Sequence, residues 1–439
     1  MKPLWLLAIF VLTLPILAQS TPPPSPKHVT HQSSTQSAAA VHQSAIVIDT
    51  HADSPQRMLD DHYDLTAPLG GGYLNFESAK QGNLGAEFFS IWVEPKLNEG
   101  HYARRTLELI DAVLQQAARH PDKMMMAYSV EDIERAHREH KLAALMGIEG
   151  GHSIEDSLGL LRDYYRLGVR YMTLTWSNPN DWADSSGDVD DPKVKHTQDG
   201  LTDFGKDVVY EMNRLGIAVD ISHVSDKTFY RAVITSRAPV FASHSSARAL
   251  TDAPRNMTDD MLRAVARSGG PKSKGGVVMT NFYSGFISDD WRKAWSAQAS
   301  ERQAAEQAQI AQWKAEGKPV SYGMVDAMDK QWAAKIPRPP LRLLIDHIDH
   351  IAKVAGIDHV GLGSDFDGIP SSPEGIDSAA DLPKITAALM ARGYSAEDCR
   401  KILGGNFLRF FGDVQATAKE LQAGSGERPR IGDSQPFAK

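Results

Sequence analysis

Short apolar runs in this chain end again and again in the side chains that grip divalent cations. Ile46-Val47-Ile48-Asp49-Thr50 runs into His51-Ala52-Asp53. In an extended segment, side chains two apart point to the same side, so His51 and Asp53 are placed to hold one ion. Gly147-Ile148 leads to Glu149, Val219-Asp220-Ile221-Ser222 to His223, Phe241-Ala242-Ser243 to His244, and Gly363-Ser364 to Asp365 and then Asp367. Singly, each has a plainer use. A lone buried His is more often a hydrogen-bonded core residue, and Asp365 or Asp367 could cap a turn. Their shared position at the ends of apolar runs is what argues for a site. Imidazole and carboxylate donors together suit Zn²⁺ first, then Mn²⁺, Fe²⁺ or Co²⁺. His51, Asp53, Glu149, His223 and His244 are more than one ion needs, so two ions with a shared carboxylate are the natural count, and Glu149 is the candidate bridge. Two ions roughly 3.5–4 Å apart would hold a hydroxide between them, the nucleophile for hydrolysis of a polarised carbonyl or phosphoryl group.

Such a set needs a scaffold that brings the carboxyl ends of several strands to one face. Candidate strands are Ile46–Asp49, Ala86–Val93, Ala143–Glu149, Val169–Thr175, Ile217–Ile221, Val240–Ser243, Gly276–Asn281 and His359–Gly363. Most are apolar without alternation, as strands covered on both faces are. Between them lie stripes at helical spacing: Leu107, Ile110, Leu114 and Ala118; Phe204, Val208, Met212 and Leu215; Leu341, Leu344, Ile348 and Ile351. This alternation predicts an α/β fold, a (β/α)8 TIM-like barrel, whose carboxyl-end face would carry every candidate ligand. A doubly wound open sheet is the runner-up, but no Gly-rich phosphate fingerprint follows any strand. Residues 45–423 are read as the barrel. Within it, 288–340 is a polar helical insertion after strand seven that holds Trp291, Trp295, Trp313 and Trp332. Those indoles would pack on the barrel, or the insertion would serve as a lid or subunit contact.

The 439 residues are 42% hydrophobic and 23% charged, and a net charge of −8 leaves no basic footprint for nucleic acid. Lys2, an apolar stretch from Pro3 to Ala18 and the polar Gln19-Ser20 read as a signal peptide over 1–20. Residues 21–44, rich in Pro, Ser and Gln, read as a disordered linker, and 424–439 as a loose tail. Cys399 is the only cysteine, so an internal disulfide is excluded and a large core must stabilise the chain. The expected destination is a periplasm or the medium, with no stable membrane insertion after signal cleavage.

Several segments resemble the membrane (renal-type) dipeptidase family within the amidohydrolase-like hydrolases. They are Gly147-Ile-Glu-Gly-Gly-His-Ser-Ile154, Leu167-Gly-Val-Arg-Tyr-Met-Thr-Leu-Thr175, Asp220-Ile-Ser-His-Val-Ser225, Ala238-Pro-Val-Phe-Ala-Ser-His-Ser-Ser246, Arg255-Asn256 and Gly363-Ser-Asp-Phe-Asp-Gly368. The likeness runs in order from about Ile46 to Phe411. It implies a two-zinc barrel that cleaves dipeptides, tolerates a D-residue at the carboxyl end and sometimes opens β-lactam rings. It further implies that His51 and Asp53 bind one zinc, His223 and His244 the other, and that Glu149 bridges them. Asp365 matches the family's acid/base carboxylate, and Arg255 the arginine that binds the substrate carboxylate, a task suited to a planar guanidinium. Homodimers are common in the family.

One position departs. After Thr173-Leu174-Thr175 the family usually has a histidine that steadies the oxyanion, and this chain has Trp176. An indole offers one N–H and a larger, uncharged body. His196, on the following polar loop, is the nearest substitute in sequence. The resemblance implies a small dipeptide as the substrate. The alternatives are a binuclear metal amidohydrolase for another small amide or ester, and a relative that binds without catalysis.

Overall fold

The apolar runs become strands because β-branched and aromatic residues fit a pleated surface buried on both faces. The computed structural model describes residues 36–424 apart from 188–192, 195, 198 and 319. The expected signal peptide, most of the expected linker and the tail beyond 424 lie outside the described residues. Strands are β1 (Val47–Ala52), β2 (Leu84–Trp92), β3 (Met124–Met126), β4 (Leu142–Glu149), β5 (Val169–Thr173), β6 (Ala218–Asp220), β7 (Phe241–Ala242), β8 (Val277–Thr280) and β9 (Val360–Leu362). The pairing path is β1-β2-β4-β5-β6-β7-β8-β9, parallel at every step. A parallel bridge between Ala52 and Phe366 brings the two ends of the path together. This is the nearly closed (β/α)8 barrel that the alternation predicts. β3 was not anticipated; it pairs only with the start of β4, at Leu142–Ala144.

Side-chain direction along β4 shows how the barrel is filled. Leu142, Ala144, Met146 and Ile148 belong to the large cluster between sheet and helices, whereas Ala143 and Leu145 belong to the inner one. The period of two then turns Gly147 and Glu149 inward. The inner cluster also holds Phe88, Tyr171 and Phe241 together with Phe407, Phe410 and Phe411 from the last helix, Asn406–Ala423. Phe88 meets Phe407 at 5.3 Å and Phe241 meets Phe410 at 5.0 Å between ring centroids, so the C-terminal helix packs its rings against inward side chains of both β2 and β7.

Two expectations are corrected. At the described end of the expected linker the chain is not free: Ala38–Gln43 is a helix that buries Val41 and His42. His42 bonds Thr386 Oγ1 and the Gly82 carbonyl, both at 2.8 Å, which anchors the segment. On helix Tyr102–Arg119 the stripe is shifted. Leu109, Ile110 and Val113 are buried and Leu107 is 43% exposed, because Thr106 and Gln116 share the buried face and hide its phase in the sequence. The stripes on Asp203–Leu215 and Leu341–Ala355 do face inward at Val208, Met212 and Leu215 and at Leu344, Ile348 and Ile351.

The insertion after β8 is helical: Ser284–Ile287, Asp289–Ala297, Ala299–Ala315 and Tyr322–Ala333. Trp291 is buried in a small separate cluster with Ala333 and Ile336, against Tyr283 and Trp295. Helix Ala299–Ala315 buries no residue. Among the described residues, no helix is long and apolar enough to cross a membrane.

Candidate metal centre

The sequence Gly147-Ile-Glu-Gly-Gly is explained by what each glycine makes room for. A Cβ on Gly147 would lie 2.0 Å from Cζ of Tyr171, so the absent side chain seats that ring in the barrel. Gly150 has φ +105°, a turn that L side chains rarely adopt. A Cβ on Gly151 would strike Trp182 and the Leu174 carbonyl. Between them Glu149 ends β4, turned inward and buried.

Glu149 is the centre of the cluster. Its Oε2 lies 3.2 Å from His51 Nε2 and accepts from Ser90 Oγ at 3.1 Å. Its Oε1 lies 2.8 Å from His223 Nε2 and 3.5 Å from His244 Nε2. One carboxylate therefore turns one oxygen to the His51 side and the other to the His223 and His244 side. Asp53 completes the first side, with Oδ2 at 3.6 Å from His51 Nε2. Asp365 adjoins it: single ligand atoms of His51, Asp53 and Asp365 all lie within 4.8 Å of one another. The atoms of His51, Glu149 and His244 do so as well.

The partners behind the histidines decide which nitrogens are free. Ser243 Oγ donates to Asp220 Oδ2 at 2.6 Å and meets His244 Nδ1 at 2.7 Å. With its own proton committed to the carboxylate, the hydroxyl accepts from His244 Nδ1–H and leaves the Nε2 lone pair facing Glu149. His51 Nδ1 meets Tyr171 Oη at 2.7 Å, which aims His51 Nε2 at the cluster. His223 takes φ +64° and Asp365 φ +65°, left-handed conformations that cost a non-glycine residue energy. The His223 turn is held at its carbonyl by Ser186 N–H at 2.7 Å and Ser186 Oγ at 2.9 Å. Asp365 N–H donates to the His51 carbonyl at 3.0 Å, and Asp53 N–H to the Phe366 carbonyl at 2.7 Å.

The electrostatics are those of a cation site. Burial pushes His223 down to about 4, with Arg255 adding to it, and holds His244 well below the usual imidazole range. Both rings are neutral and can donate lone pairs. Burial and the Glu149 charge raise Asp53 to about 7, and burial first of all raises Asp365. Burial opposes a charge on His51, but Tyr171, Glu149 and Asp53 outweigh it. His223 Nε2 and His244 Nε2 face each other at 3.0 Å, and both His51 Nε2 and Asp53 Oδ1 are buried without a hydrogen bond. Crowded carboxylates, opposed lone pairs and unmet polar atoms in one buried spot fit divalent metal as the missing partner.

The remaining residues singled out from the sequence lie around this cluster. Asp365 Oδ2 accepts from Asn281 Nδ2 at 2.9 Å. Arg255 donates to Ser245 Oγ at 2.8 Å and to the His244 carbonyl at 3.0 Å, while its Nε–H is buried without an acceptor. The Trp176 ring lies 6.4 Å from that of His223. His196 lies 3.9 Å from Asp184, whose carboxylate accepts from Thr197. Asp367 is structural, accepting from Ser54 Oγ and from Tyr73 N–H at 2.8 Å. Sequence reasoning missed Tyr171, Asp220, Ser243 and Asn281. The only signal was a polar residue inside or just after an apolar strand.

Residues 35–425 match the family described as membrane dipeptidase (peptidase family M19). Dipeptidase tcpJ of Claviceps purpurea (strain 20.1) is 32% identical over 386 residues, 86% of this chain and 77% of that protein. The crystal structure of the probable dipeptidase PvdM from Pseudomonas aeruginosa aligns with TM-score 0.71 at 26% identity, covering 87% of this chain and 98% of that one. A dipeptidase AC, described as a metallo peptidase of family M19, aligns with TM-score 0.66 at 25% identity over 84% of this chain and 98% of its own.

Proposed function

Because the chain belongs to the membrane dipeptidase family, peptidase family M19, we propose that it is a metallo-dipeptidase that hydrolyses small dipeptides in a two-zinc site. His51, Asp53, Glu149, His223 and His244 would hold the ions. The observation that carries this reading is the Glu149 carboxylate, one oxygen toward His51 and the other toward His223 and His244. When bound, zinc supplies Lewis-acid polarisation of the scissile carbonyl and lowers the pKa of the attacking water.

The chain's own residues supply the rest. Asp365, held through Oδ2 by Asn281 and raised by burial, takes the proton of the attacking water and delivers it to the leaving amine. Arg255, fixed by Ser245 and the His244 carbonyl, keeps further N–H groups for the dipeptide carboxylate. Trp176 flanks the His223 side, where it contacts the substrate. The apolar run after Lys2 supports export, to a periplasm or the medium.

The test is a panel of dipeptides given to the purified protein with zinc and, in parallel, after treatment with a chelator. Free amino acid released only with metal is the expected result. Gly-D-Phe beside Gly-L-Phe reports whether a D-residue is accepted at the carboxyl end. No release from any dipeptide would refute the reading and favour another small amide or ester. Substoichiometric zinc after gentle purification would favour a binding protein without catalysis.

A further inference from the structure

Three aromatic rings from separate parts of the chain meet at the rim of the cluster. Trp92 is the last residue of β2, in register with Glu149. Its ring centroid lies 4.8 Å from that of Trp176, on the loop after β5. On its other flank, Tyr322 lies at 5.9 Å. Tyr322 begins helix Tyr322–Ala333 of the insertion, and its hydroxyl donates to the Asp367 carbonyl at 2.7 Å. Its N–H donates to Asp60 Oδ2 at 3.2 Å, which pins the insertion to the helix that follows Asp53. With Trp176 at 6.4 Å from His223, the rings form one continuous apolar border.

The strand order places this border relative to the substrate. Trp92 ends the second strand of the path and Arg255 follows the sixth, half a turn around the barrel. A dipeptide whose carboxylate lies on Arg255 and whose carbonyl faces Glu149 points its amino-terminal residue away from Arg255, toward the rings. Trp92 Nε1 is buried without an acceptor, so a donor there is also unmet.

We infer that Trp92, Trp176 and Tyr322 form the subsite for the side chain of the amino-terminal residue and select dipeptides whose first residue is large and apolar, aromatic ones above all. The inference rests on the dipeptidase reading and sharpens its substrate class. Flat rings offer offset and edge-to-face contacts to a phenyl or indole side chain, while an alanine methyl leaves them wet. Trp176 in this role trades an oxyanion donor for a wall.

The test compares ratios of kcat/KM, which cancel differences in folded fraction. For the zinc-loaded wild type, Phe-Gly should exceed Ala-Gly by roughly tenfold or more. Trp92→Leu and Trp176→Leu should each move that ratio toward unity, while the ratio of Gly-Phe to Gly-Ala, which varies the other residue, stays put. Because Trp176 is part-exposed on a loop, its variant reads the subsite even where the Trp92 variant fails to fold. A wild-type ratio near one, survival of the preference in the variants, or equal loss of both ratios would overturn the inference and leave the dipeptidase reading intact. Absence of hydrolysis from every dipeptide would instead overturn that reading and this inference with it.

Discussion

Tyr171→Phe removes one oxygen atom and should cost the protein metal. The ring would stay where it is, seated over Gly147 and packed between Phe88 at 5.1 Å and Phe241 at 5.4 Å. What is lost is the 2.7 Å contact to Nδ1 of His51, a side chain with no solvent exposure. Leaving a buried polar atom unpaired costs about 1–3 kcal/mol. Removing the group that orients a ligating histidine lowers metal affinity about 10–100-fold, or about 1.4–2.7 kcal/mol, so the two routes agree. Zinc affinity is read by competition with a chelating fluorescent indicator, on wild type and variant together, with unchanged circular dichroism as the check on folding. A variant that binds zinc as tightly as wild type would refute the idea that Tyr171 aims His51.

Other outcomes follow from the same geometry. Asp365→Asn should bind added zinc as wild type does yet lose about 10²–10⁴ in kcat, and undiminished turnover would exclude the proton-shuttle role. Trp176→His should raise kcat on Ala-Gly, by at most the 10²–10³ or so that one oxyanion donor is worth, and a fall would show that the indole itself is needed there. His347, buried on helix Leu341–Ala355, accepts the Ala247 N–H at 3.0 Å and is held by burial at about 4 against 6.5 in the unfolded chain. The unfolded chain therefore binds the extra proton as pH falls. The contribution, on the order of 3 kcal/mol, is complete above pH 6.5 and lost toward pH 4. Urea unfolding across that range should show a shallower pH slope for His347→Asn, and an unchanged slope would assign the acid sensitivity elsewhere.

The barrel and the candidate cation ligands were legible because both leave local marks. An apolar run is a strand wherever it falls, and a His or Asp at its end stands out against it. What could not be read is adjacency across the sheet. Nothing near Tyr171 in sequence points to His51, and nothing near Ser243 points to Asp220. The same holds for Tyr322, which reaches Trp92 only because a distant insertion docks on the segment after Asp53. The left-handed turns at His223 and Asp365 were hidden too, since both are residues for which that conformation is unfavourable and is imposed by neighbours. Trp176 was visible as an oddity, but its ring partners were not.

The contact between the first and last strands has a consequence for the order of assembly. Asp53 N–H reaches the Phe366 carbonyl, Asp365 N–H the His51 carbonyl, and Phe410 the Phe241 ring beneath them. A growing chain that stops short of Phe366 lacks the clasp on β1, and one that stops short of Phe410 lacks the floor under the inner rings. His51 and Asp53 thus emerge early and wait for nearly the whole chain before they acquire fixed positions. Such long-range closure is slow, because the entropy of joining distant segments is lost before their contacts form. An unfinished chain therefore lacks the assembled cluster. Metal bound by His51, Glu149, His223 and His244 would hold together segments that folding was slowest to unite, and its removal should then loosen the barrel first at that seam.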